Sequence, residues 1–285
     1  MEFGFIGVGV MGGPLARNLI RAGKRVHVYN RSPEGREKTL AAGTSGIPAM
    51  SMADMAPCDV VFTCLALPEH VQEKMLGTDG AYAHMRAGAV HVELSTIDPA
   101  TAHTLAEAAG KRGIAYVQCT LGKTPAHAEK AEEPLFVGGD RKAIAALADV
   151  WPIIGQFNDV GSVDAACAVK LISNLVGMAN LAVLSEGLRV GAAAGVDGDT
   201  LLRLLADTGA HSFQMDARGP NMAHADYEPP RFALTLALKD VRLGCAMAHA
   251  LNVATPMLDV ALARYRGAEA AGLGAKDCAA VHALS

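Results

Sequence analysis

The six cysteines of this chain, Cys58, Cys64, Cys119, Cys167, Cys245 and Cys278, include no C-x-x-C pair. That scatter argues against a disulfide scaffold or a cysteine zinc site, and it reads as reduced, mostly buried thiols of a cytoplasmic protein. The ten histidines show no close ligand spacing, so no metal site is expected. Charge of one sign is also missing: the net charge of −4 argues against nucleic acid or an anionic membrane as the main partner. No run of about 18 uninterrupted apolar residues occurs, so no membrane span is expected. The first apolar run begins almost at Met1, which leaves no room for a signal peptide. Internal repeats and low-complexity segments are absent too. What is present is a 285-residue chain, 51% hydrophobic, long enough to bury a large core in two domains.

The most informative segment is the first thirty residues. Phe3, Phe5 and Ile6 lead into Gly7-Val8-Gly9-Val10-Met11-Gly12, an amphipathic stretch follows with Leu15, Leu19 and Ile20 on one face, and Val26 and Val28 run into Asn30-Arg31-Ser32. This is strand, glycine turn, helix, strand. Gly7 allows the tight turn, Gly9 the close approach of a pyrophosphate and Gly12 the packing of helix on strand. The helix N-terminus offers free N–H groups to the phosphates. Sites for NAD place a carboxylate at the end of the second strand, whereas here Asn30 is neutral and Arg31 follows it. A guanidinium attracts a 2′-phosphate and can bind it with two hydrogen bonds, with Ser32 adding a hydroxyl. NADP(H) is therefore the expected cofactor, with NAD the weaker alternative; the plain reading is a solvated Arg31 that discriminates nothing.

Beyond this unit the alternation continues. Strands are expected at Asp59–Leu65, Ala89–Leu94, Ile114–Gln118 and Pro134–Val137, with helices at Pro68–Met75, from Asp98-Pro99 to about Arg112, and at Ala143–Val150. The pattern predicts an α/β fold, a Rossmann-type doubly wound parallel sheet covered on both faces. From Gly161 onward no strand is convincing. A long helix from Ser162 to about Ala194 opens an all-α region of shorter helices, so the expected domains are 1–160 and 161–285. The long helix is apolar on more than one face, which calls for partners on several sides and suggests a homodimer or homotetramer.

Ligands of open parallel sheets bind beyond the carboxyl ends of the strands. That gathers the glycine turn, Leu65-Ala66, Ser95-Thr96 and the loop Gly122-Lys123-Thr124. On the long helix Lys170 and Asn174 stand four residues apart and share a face. A lysine in an apolar helix is costly to bury without a partner, so it either reaches solvent or serves the crevice as proton donor and acceptor. Glu132-Glu133 reads as a solvated turn, His127 as a loop residue, His211 and His224 as surface residues, Glu186 as a structural hydrogen-bonding group and Trp151 as core.

Four blocks resemble the β-hydroxyacid dehydrogenases of the 3-hydroxyisobutyrate dehydrogenase type: GFIGVGVMGGPLARNL, VELSTIDP, VKLISNLV and FALTLALKD, in that order along nearly the whole chain. The resemblance implies that Lys170 is the catalytic acid and base, that Asn174 binds substrate and that Lys239, with Asp240 beside it, reaches the cofactor. In the second block Glu93 replaces the usual Asp. Where many members carry Ser-Gly-Gly to cradle the substrate carboxylate, this chain has Gly122-Lys123-Thr124, which looks more like the Gly-Arg-Thr of sulfolactaldehyde reductases. Gln118 and Ser173 depart from that subfamily's flanking acid and Asn.

The implied reaction is NADP-dependent interconversion of a small anionic aldehyde and its hydroxyacid or hydroxysulfonate, of the 3-hydroxyisobutyrate, 4-hydroxybutyrate, tartronate semialdehyde or sulfolactaldehyde type. Ser95, Gly122, Lys123 and Thr124 would hold the acidic head, or Lys123 would be a solvated loop lysine. Two alternatives share the architecture, an imine reductase and a non-catalytic NADP-binding scaffold; Lys170 argues against both.

Overall fold

A computed structural model describes residues 1–284 of the chain. They divide into two compact units, Met1–Lys170 and residues 171–284, and the division falls inside the long helix rather than at Gly161. In the first unit the strands are β1 (Glu2–Ile6), β2 (Arg25–Tyr29), β3 (Gly46–Pro48), β4 (Val60–Thr63), β5 (Val90–Glu93), β6 (Ala115–Leu121), β7 (Pro134–Gly139) and β8 (Gln156–Gly161). Between them lie α1 (Gly12–Arg21), α2 (Pro33–Leu40), α3 (Pro68–Leu76), α4 (Ala81–His84), α5 (Pro99–Gly110), α6 (Pro125–Glu129), α7 (Arg141–Ala146) and α8 (Trp151–Ile154).

The strands form one sheet in the order β3-β2-β1-β4-β5-β6-β7-β8. The first six follow the doubly wound order. Every pairing is parallel except β6 with β7. One face buries Phe3, Phe5, Leu15, Leu19, Val28 and Trp151. The other buries Ile6, Met55, Val71, Met75, Leu105 and Tyr116. A sheet covered twice needs apolar residues at successive positions, which is why its central strands read as continuous runs. Two strands were not anticipated. β3 has three residues, one of them proline, and β8 is an edge strand exposed along nearly all its length, so neither carries a buried run. Asp98 caps α5 through the Thr101 amide at 3.0 Å, with Pro99 in the first turn.

Helix α9 (Val163–Ala193) starts after Ser162, whose Oγ accepts from the Ala165 amide at 3.1 Å. Its first turns are fastened to the sheet by the Thr120 hydroxyl, which donates to the Ala166 carbonyl at 2.9 Å. It ends before Gly195, whose φ of 81° suits glycine. By length and composition α9 could also cross a membrane.

The second unit packs the rest of α9 with α10 (Gly198–Leu205), α11 (Phe213–Ala223), α12 (Leu234–Ala250) and α13 (Pro256–Ala268), a single π turn and a closing 3-10 turn at Cys278–Ala283. Leu175, Met178, Leu181 and Leu188 of α9 enter its core with Leu234, Val241, Tyr265 and Val281. Asp197 and Ser212 cap α10 and α11.

Candidate active site

The glycine turn has the backbone that a dinucleotide requires. Gly7 sits at φ 93°, and a Cβ there would lie 2.4 Å from the Cys64 carbonyl. At Gly12 a Cβ would lie 2.1 Å from the Gly7 carbonyl, so turn and helix start can approach only without side chains. Gly9 is different: a Cβ there would meet nothing within 4 Å. The constraint at Gly7 and Gly12 is internal, whereas the space at Gly9 lies outside the chain, as phosphate approach demands. Val8 is buried, Val10 is exposed and Met11 is half-buried at the start of α1, which no side chain caps. The uncapped N–H groups and the dipole of α1 suit a pyrophosphate.

At the end of β2 the structure gives Asn30 a local task. Its Oδ1 accepts from the Val8 amide at 3.1 Å, and its Nδ2 donates to the Ser32 carbonyl and hydroxyl at 3.1 Å each. Asn30 therefore ties the glycine turn to the segment that carries Arg31, which is exposed together with Ser32.

The next strand ends are joined by a buried polar network. The Ser95 hydroxyl accepts from the Leu65 amide at 2.8 Å, and the Ser95 amide donates to Glu93 Oε1 at 2.7 Å. Ser95 is buried, Leu65 and Thr96 are half-buried and Ala66 is exposed. Thr63 donates to Glu93 Oε2 at 2.5 Å. Its one proton is then used, so its oxygen accepts from His91 Nε2 at 2.8 Å, and Nδ1 accepts from the Tyr82 hydroxyl at 2.6 Å. Burial pushes the His91 pKa down to about 3, keeping the ring neutral, and pushes Tyr82 up. Gln118 donates to the carbonyls of Glu93 and Ser95 at 3.1 and 3.3 Å and accepts from Tyr116 at 2.7 Å. Glu93 and Gln118 thus hold the backbone that presents Ser95-Thr96. Thr63, His91, Tyr82 and Tyr116 escaped notice in the sequence. The available signal was a set of polar residues on one face of otherwise apolar strands, since Thr63 pairs with Glu93 and Glu93 with Gln118 in the sheet register.

The loop after β6 brings one correction. Glu133, read from sequence as part of a solvated turn, is 0% exposed, while Glu132 is exposed. The reason is tertiary. Glu133 immediately precedes β7, its carbonyl accepts from the Gln156 amide at 2.7 Å, and its carboxylate accepts from the Lys123 amide. Gly122 is half-buried and its amide donates to the Pro134 carbonyl at 2.9 Å. Burial raises the Glu133 pKa, opposed by the Lys123 amide and by the Lys170 ammonium. Lys123 itself is exposed, and the Thr124 hydroxyl bonds His127 Nδ1 at 2.8 Å. Lys170, the last residue of the sheet unit, is half-buried.

In the helical unit Asn174 donates to Asp240 Oδ2 at 2.5 Å, and Asp240 Oδ1 pairs with Lys239 at 2.8 Å. Lys239 and Asp240 are both buried, which a charge pair tolerates only with good geometry and further hydrogen bonds. Glu186 is exposed, contrary to the structural role expected of it. His211 and His224 are exposed and pair with Asp216 and Asp199. Trp151 is core, its Nε1 donating to the Ile144 carbonyl at 3.1 Å.

Residues 2–169 match the NAD-binding domain of 6-phosphogluconate dehydrogenase, and residues 165–284 match the NAD-binding domain of NADP-dependent 3-hydroxyisobutyrate dehydrogenase. The chain is 29% identical over 282 residues to 2-(hydroxymethyl)glutarate dehydrogenase of Eubacterium barkeri, covering 99% of this chain and 93% of that protein. Among solved structures it is similar to a 3-hydroxyisobutyrate dehydrogenase of Salmonella typhimurium, at TM-score 0.91 and 25% identity with both chains fully covered. It is also similar to Psf3 in complex with NADP+ and 2-OPP, at TM-score 0.87 and 25% identity, covering 99% of this chain and 100% of that one. With a glycine turn shaped for a dinucleotide and models of this family spanning both units, the chain belongs to the β-hydroxyacid dehydrogenases, NAD(P)-dependent oxidoreductases acting on CH–OH groups.

Proposed function

We propose that the protein interconverts a small anionic aldehyde or semialdehyde and the corresponding hydroxyacid or hydroxysulfonate, with NADP(H) as cofactor and Lys170 as general acid and base. One observation carries the reading: Lys170 is a half-buried amine one turn beyond Ala166, whose carbonyl accepts from the Thr120 hydroxyl of β6 at 2.9 Å. The dinucleotide fits the turn at Gly7, Gly9 and Gly12, and Arg31 with Ser32 suits a 2′-phosphate. The NADP-dependent description of the model matching residues 165–284 supports the same choice.

Bound NADPH supplies the hydride. The chain's own residues do the rest. The Lys170 ammonium gives its proton to the oxygen that becomes an alkoxide and stabilises charge there; in the reverse direction the neutral amine takes that proton. Asn174, one turn along α9, is held by Asp240. Ser95 accepts from the Leu65 amide and so keeps its own proton to donate to an acidic head, with the Lys123 ammonium adding charge.

Lys170→Met tests the assignment with NADPH and a panel of succinic semialdehyde, tartronate semialdehyde and sulfolactaldehyde. Turnover of the accepted aldehyde drops at least about 100-fold while NADPH binding, read by nucleotide fluorescence, is unchanged. Retention of more than about a tenth of the rate would overturn the role of Lys170.

A further inference from the structure

We propose that Glu93 is a positioning residue for this reaction: its carboxylate holds the Ser95 amide and so aims the Ser95 hydroxyl at the acidic head of the substrate, while Tyr82, His91 and Thr63 form a file of donors that keeps the carboxylate in place. The proposal rests on the reading of Ser95 as a grip on that head.

Thr63, Glu93 and Gln118 stand side by side in the register of β4, β5 and β6. Glu93 is 0% exposed, and its two oxygens have different donors. Oε1 accepts from the Ser95 amide at 2.7 Å, and Oε2 accepts from the Thr63 hydroxyl at 2.5 Å. His91 Nε2 stops 3.6 Å short of Oε2, beyond a direct hydrogen bond. The Thr63 oxygen spans the gap by accepting from Nε2 at 2.8 Å. Burial keeps the ring neutral, so Nδ1 accepts while Nε2 donates, and the Tyr82 hydroxyl donates to Nδ1 at 2.6 Å. Donation therefore runs one way, from Tyr82 through His91 and Thr63 to Glu93. Hydrogen bonds aligned in this sense strengthen one another in a buried site.

Such a file is costly inside a core. Tyr82 and Tyr116 lie among Met75, Ile97 and Leu105, where apolar side chains could fill the same space with no polar atom to satisfy. The row ends at the carboxyl edge of the sheet, where ligands of open parallel sheets bind. There Ser95 is 3% exposed and its oxygen accepts from the Leu65 amide at 2.8 Å. Among the described residues no acceptor takes its proton. Its backbone is fixed at both ends, by Glu93 through the amide and by Gln118 through the carbonyl at 3.3 Å. A buried hydroxyl held this way, with one proton unspent, is a donor set in advance for an acceptor the chain does not supply. A carboxylate or sulfonate head supplies it.

Variants of the full chain test the hold and the aim. Glu93→Gln offers one oxygen to two donors, Thr63 and the Ser95 amide, and turns its own N–H groups against the other. Thr63→Val deletes the last donor of the file and leaves the bond from Ser95 to Glu93 in place. The first readout needs no turnover: amide hydrogen exchange, read by mass spectrometry on the chain without ligand. Both variants speed exchange across residues 94–97 at least about tenfold, the scale of one buried hydrogen bond, and leave β1 and β2 unchanged. The second readout is a double-mutant cycle. Glu93→Gln raises the KM for the accepted aldehyde about tenfold or more and keeps kcat within about threefold. Ser95→Ala raises KM as far, and the double variant is no worse than the worse single one. Unchanged exchange would overturn the hold whether or not any aldehyde of the panel is reduced, and Thr63→Val reads it even if Glu93→Gln fails to fold. Penalties that add across the cycle would overturn the aim and leave Glu93 a structural residue. A wild-type KM in Ser95→Ala would instead overturn the grip itself, a failure that shows without touching Glu93.

Discussion

A single guanidinium can separate NADPH from NADH only if the phosphate is its partner and the rest of the dinucleotide is not. The proposed role of Arg31 requires this: it is exposed at the end of β2, and the adjacent Asn30 is engaged with Val8 and Ser32. Arg31→Ala is therefore expected to weaken NADPH binding by at least about tenfold, the scale of one charge-assisted pair, and to leave NADH nearly unchanged. Parallel titrations with both nucleotides check this, and equal losses would remove Arg31 from the phosphate site. At this scale the glycines of the turn were legible, because a Cβ at Gly7 or Gly12 would collide with backbone. Glu133 was not legible. In the run Glu132-Glu133-Pro134 nothing local distinguishes a solvated carboxylate from a buried one; the difference arises when β8 closes over one residue and leaves its neighbour outside.

At the scale of elements, the central strands were readable because burial on both faces demands apolar runs, and the long helix because its apolar positions persist over eight turns. Edge strands β3 and β8 escaped for the opposite reason, as did the reversal of β7, since direction is a property of pairing and not of composition. The polar network across β4, β5 and β6 is likewise a product of register. It has a measurable consequence. His91 has a folded pKa of about 3 against an ordinary value of 6.5, because burial penalises its charged form. Above about pH 6.5 neither folded nor unfolded chain binds that proton. Below it the unfolded chain takes the proton and the folded chain does not, so stability falls by about 1.4 kcal/mol per pH unit from about pH 6.5 down toward about pH 3. Urea unfolding of wild type and His91→Gln between pH 7.5 and 4.5 isolates the effect: the stability advantage of wild type over the variant shrinks as pH falls. Parallel curves would mean that His91 is not held neutral.

For the whole molecule, α9 leaves an apolar stripe exposed. Ile172, Val176, Val183 and Val190 are 52%, 50%, 63% and 69% exposed, and they recur at spacings of four, seven and seven. That is the spacing of a helix seam, which a second copy of the same helix can fill about a two-fold axis. Leaving four branched apolar side chains in water forgoes roughly 1.5–3 kcal/mol for each that could be fully buried. We propose on this basis that the protein is a homo-oligomer built on α9. Sedimentation velocity at micromolar concentration should then show a dimer or tetramer, and Val183→Lys with Val190→Lys should shift it toward monomer, because two ammonium groups would have to be desolvated in the seam. Circular dichroism should show the variant's helices intact, since both positions are exposed in the single chain. A wild-type monomer under these conditions would refute the seam, and the exposed stripe would then need another occupant.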